Sequence, residues 1–107
     1  MIYIASPYTH ADPAVMEQRF DAACRAAGEL MRQGHVVFSP IAHTHPIAVR
    51  CELPRGWDFW ERFDREFIRA AEKVVVLKLP GWEESNGVAA EIKLAEAAGI
   101  PVEYMEP

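Results

Sequence analysis

Two carboxylates stand where packing alone gives them no reason to be. Numbered at 100° per residue, the helix after "LPGWEESNG" sets Val88, Ile92, Ala95 and Ala98 on one side. Lys93, Glu96 and Ala97 fall away from it, yet Glu91 lies inside the apolar arc, between Val88 and Ala95. Asp64 repeats the pattern in "GWDFWERFDREFIRAAE", where it falls between Trp60, Ile68 and Ala71. Burial raises a carboxyl pKa, and two neighbouring carboxyls couple. Such a pair equips a nucleophile and an acid at a glycosidic carbon. Either residue alone reads as a carboxylate hydrogen-bonded at the edge of the core. The two together, beside an anion site, read as functional.

That anion site is the start of the same helix. Ser85 is a good N-cap, and Gly87 lets a ligand come close to the backbone. Free N–H groups and the helix dipole favour an anion there; the simpler alternative is a plain capped helix. Glu91 follows Ser85 by six residues, ~9 Å along the axis, about the length of one sugar. Neither "GxxxxGK" nor "GxGxxG" occurs, which argues against a nucleoside triphosphate or a dinucleotide.

Other residues offer supporting chemistry. Tyr8 can orient a carboxylate through its hydroxyl, or pack as an aromatic at a strand end. Trp57, Trp60 and Trp82 can sandwich a flat base, although at least two of them are expected in the core. His43 and His45 alternate in "HTHP", with Asp58 thirteen residues beyond His45. Two histidines and a carboxylate can bind a metal, but the spacing fits no strong motif. The two histidines are therefore expected to line a pocket without metal. His10 reads as a loop residue.

The elements that must position these groups form a simple series. "IYIAS" (2–6) is a buried strand closed by Pro7. Asp12 and Pro13 open a helix, with Phe20, Ala23, Cys24, Ala27, Leu30 and Met31 on its core face and Gly34 as its stop. "HVVFS" (35–39) is a second strand, and 40–55 reads as a long irregular loop. Residues 56–72 read as a helix with Trp60, Phe63, Phe67 and Ala71 along one face. "KVVVLKL" (73–79), the Glu91 helix and a strand at 101–105 complete the series. Apolar strands alternating with amphipathic helices predict an α/β three-layer sandwich around a parallel sheet. The expected fold is flavodoxin- or Rossmann-like, a single domain over 1–107, with strand order 2-1-3-4. Ligands of such sheets bind past the strand ends where the winding reverses. That crevice gathers "SPYTH" (6–10, with Ser6, Tyr8 and His10), "SPIAHTHP" (39–46) and "PGWEES" (80–85).

Bulk properties narrow the classes. The 107 residues, half of them hydrophobic, suffice for one core. A net charge of −5 and a pI of about 5.3 argue against a nucleic-acid polymer as partner. No apolar run reaches membrane-spanning length, and "MIYIASPYTH" lacks a basic leader, so the cytoplasm is the expected location. Cys24 and Cys51 have no motif spacing; Cys24 reads as a small core residue.

Three strings resemble one family. "YIASPY", "D-x7-EKVVVL" from Asp64 and "ES-x-G-x3-E" (84–91) are similar to the nucleoside 2-deoxyribosyltransferase superfamily, including its 2′-deoxynucleoside 5′-phosphate N-hydrolase branch. With "FSPIAHTHPIA" and "LPGWEESNGVAAEI", the chain looks most like a small bacterial group of unknown function attached to that superfamily. The resemblance spans essentially the whole chain. It implies Glu91 as nucleophile at the anomeric carbon, Asp64 as acid or sugar ligand, and Tyr8 positioning Glu91. It implies Ser85 and Gly87 as the hold on a 5′-phosphate. It also implies no metal or organic cofactor, and a homo-oligomer in which a neighbour completes the site. The chain departs from the family in its histidine- and tryptophan-rich segment 41–62, which leaves the substrate open. The expected activity is cleavage or transfer at the N-glycosidic bond of a nucleoside or nucleoside 5′-monophosphate. A non-catalytic nucleotide-binding module and, third, a metal-dependent hydrolase are the alternatives.

Overall fold

A computed structural model describes all of residues 1–107. Four parallel strands, β1 (Ile2–Ala5), β2 (Val37–Phe38), β3 (Lys73–Leu77) and β4 (Val102–Met105), form one sheet in the order β2-β1-β3-β4. This is the expected winding, and its reversal falls between β1 and β3. Ile2 pairs with Lys73 and Ala5 with Val76, so the two central strands end level with each other.

Four helices cover the sheet: α1 (Pro13–Arg32), α2 (Pro40–Cys51), α3 (Trp57–Ala70) and α4 (Asn86–Ala97). Strand alternation divides the core into two layers. Tyr3, Ala5, Val74 and Val76 meet Ile68 of α3 and Val88 and Ala95 of α4. Ile4 and Leu77 meet Ala26 and Ala27 of α1 on the opposite face. The two layers together make the three-layer sandwich. No helix is long and apolar enough to cross a membrane.

Helix ends follow the local chemistry. Asp12 caps α1 by accepting from the Ala14 N–H at 2.9 Å, with Pro13 in the first turn. Gly34, at φ 93°, ends it, and the His35 N–H returns to the Leu30 carbonyl at 3.1 Å.

The segment expected as an irregular loop is instead α2. Ser39 caps it through the Ala42 N–H at 3.2 Å, Pro40 stands in its first turn, and Glu52 closes it at φ 53°. Pro46 sits inside, where it removes one backbone donor. A proline at that place disfavours a helix. Packing against α1 holds the helix in spite of it.

Two core faces are also corrected. Cys24 is exposed, as is Cys51, and Met31 is 54% exposed. The buried stripe of α1 runs through Met16, Ala23, Ala26 and Ala27, which turns Cys24 outward. On α3 the buried row carries Asp64 and Ile68, while Phe63 and Phe67 are each 39% exposed. Phe67 stacks on Phe38 with ring centroids 4.0 Å apart.

Candidate active site

Both α3 and α4 start at the rim where β1 and β3 end, then descend along the sheet. Their first turns therefore form the mouth of a crevice, and residues one to two turns further in form its floor. The crevice encloses about 660 Å³. Trp57, Trp60 and Asp64, at spacings of three and four, make one wall of α3. Ser85, Gly87 and Glu91 descend the facing wall of α4. Asp64 thus reaches the crevice although it lies halfway along its helix, because α3 stands up to the rim.

The floor is two buried carboxyls, and a phenol behind the cavity lining bonds to one of them. Glu91 is 4% exposed, Asp64 9% and Tyr3 0%. The Tyr3 hydroxyl donates to Glu91 Oε2. Burial pushes Glu91 well above the usual carboxyl range, the charge of Asp64 adds to this, and the Tyr3 hydrogen bond opposes it. Burial lifts Asp64 to about 7, again against a lowering contribution from the Tyr3 hydroxyl. Desolvation and the two carboxyls drive the Tyr3 phenol well above its ordinary value, so it remains a neutral donor.

The residue that holds Glu91 is therefore Tyr3, not Tyr8. Strand parity explains the exchange: Tyr3 points to the α3–α4 face, whereas Tyr8 lies beyond the strand end. A signal for it was present in the sequence. A tyrosine inside an apolar strand needs a partner for its hydroxyl, and Glu91 is the acid on a helix over that face.

Tyr8 lines the crevice, but its hydroxyl meets His45 Nδ1 at 2.5 Å. Neither His43 nor His45 reaches the cavity. On α2 the cavity-facing row is Ile41, Thr44 and Ala48, and the histidines flank Thr44 on either side. His43 is exposed and tilts against Phe38 at 5.9 Å. His45 is 7% exposed, and its Nε2 meets Glu17 Oε2 at 2.8 Å. Both its nitrogens are engaged, and no three His, Cys, Asp or Glu side chains converge as a ligand set. Trp82 also lies away from the cavity, half-buried in a short 3-10 turn at Trp82–Glu84, with Tyr104 5.6 Å off.

Ser6, Trp60, Ser85 and Gly87 all border the crevice, as does the loop residue His10. Ser85 caps α4 through the Val88 N–H at 3.2 Å. The Ser6 hydroxyl is buried and has no hydrogen-bond partner in the protein.

Arg19 escaped the sequence reading. It reaches from α1 to the Thr9 carbonyl at 3.1 Å and the Pro80 carbonyl at 3.2 Å, tying together the loops after β1 and β3. Gly81, at φ 91°, makes room for it, since a Cβ there would lie 2.8 Å from Arg19 Nη2. No local pattern announces such a tie between distant loops.

Fold and site together define a doubly wound α/β domain with a polar crevice at its switch point and a carboxyl pair on the floor. The whole chain, residues 1–107, matches a family described as a domain of unknown function (DUF1937), and the protein belongs to that family. Among curated proteins, none matches it.

Proposed function

We propose that the protein cleaves or transfers at the N-glycosidic bond of a nucleoside or nucleoside 5′-monophosphate. The observation that carries the reading is the buried Glu91–Asp64 pair under the crevice, with the Tyr3 hydroxyl donating to Glu91. In this reading a Glu91 oxygen attacks the anomeric carbon as the bond to the base breaks. The departing base nitrogen takes a proton from Asp64. Water, or a second base, then attacks the glycosyl ester, returns a proton to Asp64 and frees Glu91.

The pair has to hold its proton on Asp64 for this. Burial alone favours the opposite placement, since Glu91 is the deeper group. A hydrogen bond donated to a carboxylate favours the ionised form, and Tyr3 supplies it to Glu91. Tyr3 is thus a positioning residue that opposes protonation of Glu91 without outweighing its burial. Trp57 and Trp60 offer faces for a base, and the N-terminal turn of α4 offers N–H groups to a phosphate.

The resemblance to nucleoside 2-deoxyribosyltransferases supports the same chemistry. It also suggests a homo-oligomer, for which the half-exposed Phe63 and Phe67 are available surface. Incubating the protein with a panel of nucleosides and 5′-monophosphates, then separating free base by chromatography, tests the reading. Base release is expected, and none across the panel overturns it.

A second reading has one observation in its favour. The raised pKa of Glu91 makes a neutral carboxyl available as a hydrogen-bond donor to sugar hydroxyls, as in a non-catalytic binding module. Binding without base release supports that reading.

A further inference from the structure

One hydrogen-bonded cluster, buried at its centre, lies outside the carboxyl floor. Glu17 on α1, His45 on α2 and Tyr8 after β1 form a continuous chain, at 2.8 Å and 2.5 Å. Phe20 stacks on the imidazole at 4.5 Å and holds its plane. The chain begins on a side chain that is 67% exposed and ends on one that borders the crevice.

Hydrogen-bond roles along the chain follow from counting protons. A Glu17 carboxylate has none to give, so Nε2 of His45 carries the hydrogen between them. In the neutral ring Nδ1 is then an acceptor. Only Tyr8 can supply the proton to it, and a phenol has just one. The Tyr8 oxygen therefore has only lone pairs left for the crevice.

We propose that Glu17 and His45, with the imidazole neutral, fix Tyr8 as a hydrogen-bond acceptor in the crevice, and that Tyr8 selects ligands carrying a hydrogen-bond donor at that point. A ligand hydroxyl or amino group satisfies Tyr8 by donating to it. Glu17 and His45 act only through Tyr8, as positioning residues. The choice of nucleosides as probes rests on the function proposed above; the hydrogen-bond direction in the chain does not.

The test has two parts. Nitrogen-15 NMR of the His45 imidazole, read with the ring neutral, should find Nε2 protonated and Nδ1 bare. Glu17→Gln, at an exposed site that should not disturb folding, offers an amide N–H to Nε2 and should mix the tautomers. A wild-type ring with its proton on Nδ1 overturns the proposal. Calorimetry then compares adenosine with purine riboside, 2′-deoxyadenosine and 3′-deoxyadenosine, which lack the amino group or one hydroxyl. One of these deletions should weaken wild-type binding about tenfold and leave Tyr8→Phe nearly unaffected. The ligand that reveals the loss tells amino from hydroxyl. Equal discrimination in wild type and Tyr8→Phe overturns the selectivity. If no nucleoside binds at all, the nucleoside reading falls, and the imidazole signal alone decides the chain.

Discussion

On the α3–α4 side of the crevice, two acids are sunk in apolar surroundings with a single phenolic proton donated to one of them, Glu91. On the α1–α2 side, His45 is buried to a similar depth, 7% exposed against 4% for Glu91, but both of its nitrogens are engaged. Equal burial therefore serves two ends. A polar group left short of partners pays in desolvation and keeps a displaced pKa, which is what acid–base chemistry needs. A polar group with every partner in place holds a geometry instead. The first arrangement should be sensitive in turnover and indifferent, or even relieved, in stability. The second should show the reverse.

Glu91→Gln gives the widest separation between these behaviours. Loss of the nucleophile should cost at least about 10³-fold in base release on the best substrate found. The fold should survive, since glutamine keeps the shape and an oxygen to accept from Tyr3, with no charge to desolvate. Near-normal turnover would end the nucleophile assignment and with it the contrast between the two sides.

Tyr3→Phe is the next largest change. It removes the one donor that favours an ionised Glu91. A hydrogen bond to a charged group is worth about 1.5–3 kcal/mol, so turnover should fall roughly 10- to 100-fold. Tyr8→Phe should leave the chemical step far less affected. A larger loss of turnover in Tyr8→Phe than in Tyr3→Phe would reverse the roles given to the two tyrosines.

Stability against pH sharpens the comparison further. Burial raises Asp64 to about 7 and moves Glu91 in the same direction. The folded protein thus binds more protons than the unfolded chain between the ordinary carboxyl range and about 7. Stability from this source is fully present at acid pH and is lost as pH rises through that window. At about 1.4 kcal/mol per pKa unit, the change amounts to a few kcal/mol. Thermal melts from pH 4 to 8 should show Tm falling, with a flatter profile for Asp64→Asn. A Tm that rises across the window would mean the carboxyls are not desolvated.

The sequence reading reached the sheet order and the carboxyl floor because both are periodic properties. Strand and helix spacing set the winding, and an acid inside an apolar arc stands out along one helix. It missed what depends on which elements abut. Residues 40–55 carry prolines and no clear apolar period, and without α2 "HTHP" reads as a rim loop with both histidines facing a ligand. Once helical, the same residues turn to either side of Thr44. Tyr3 went unread because its partner is 88 positions away. Arg19 has the same character: its meaning lies in two loops brought together by the sheet.

The smallest effect on stability, and the last way to test the contrast, concerns Gly87. It stands in the first turn of α4 on the crevice wall. A Cβ there would meet only Ser85 Oγ at 3.8 Å and Trp57 Cε3 at 3.9 Å, both ordinary contacts. Its backbone is helical, with no positive φ to demand glycine. Nothing in the fold therefore requires the absence of a side chain. Alanine should stabilise the protein by about 0.4–1 kcal/mol, because glycine loses more freedom on folding. A methyl at this point projects toward the turn whose N–H groups an anion would approach. Gly87→Ala should then raise Tm slightly while weakening a nucleoside 5′-monophosphate more than the nucleoside itself. Ser85→Ala is the control: loss of the cap costs about 1 kcal/mol of stability, so its Tm should fall. If Gly87→Ala raises Tm and weakens both ligands equally, the first turn of α4 is wall only, and the phosphate has no place there.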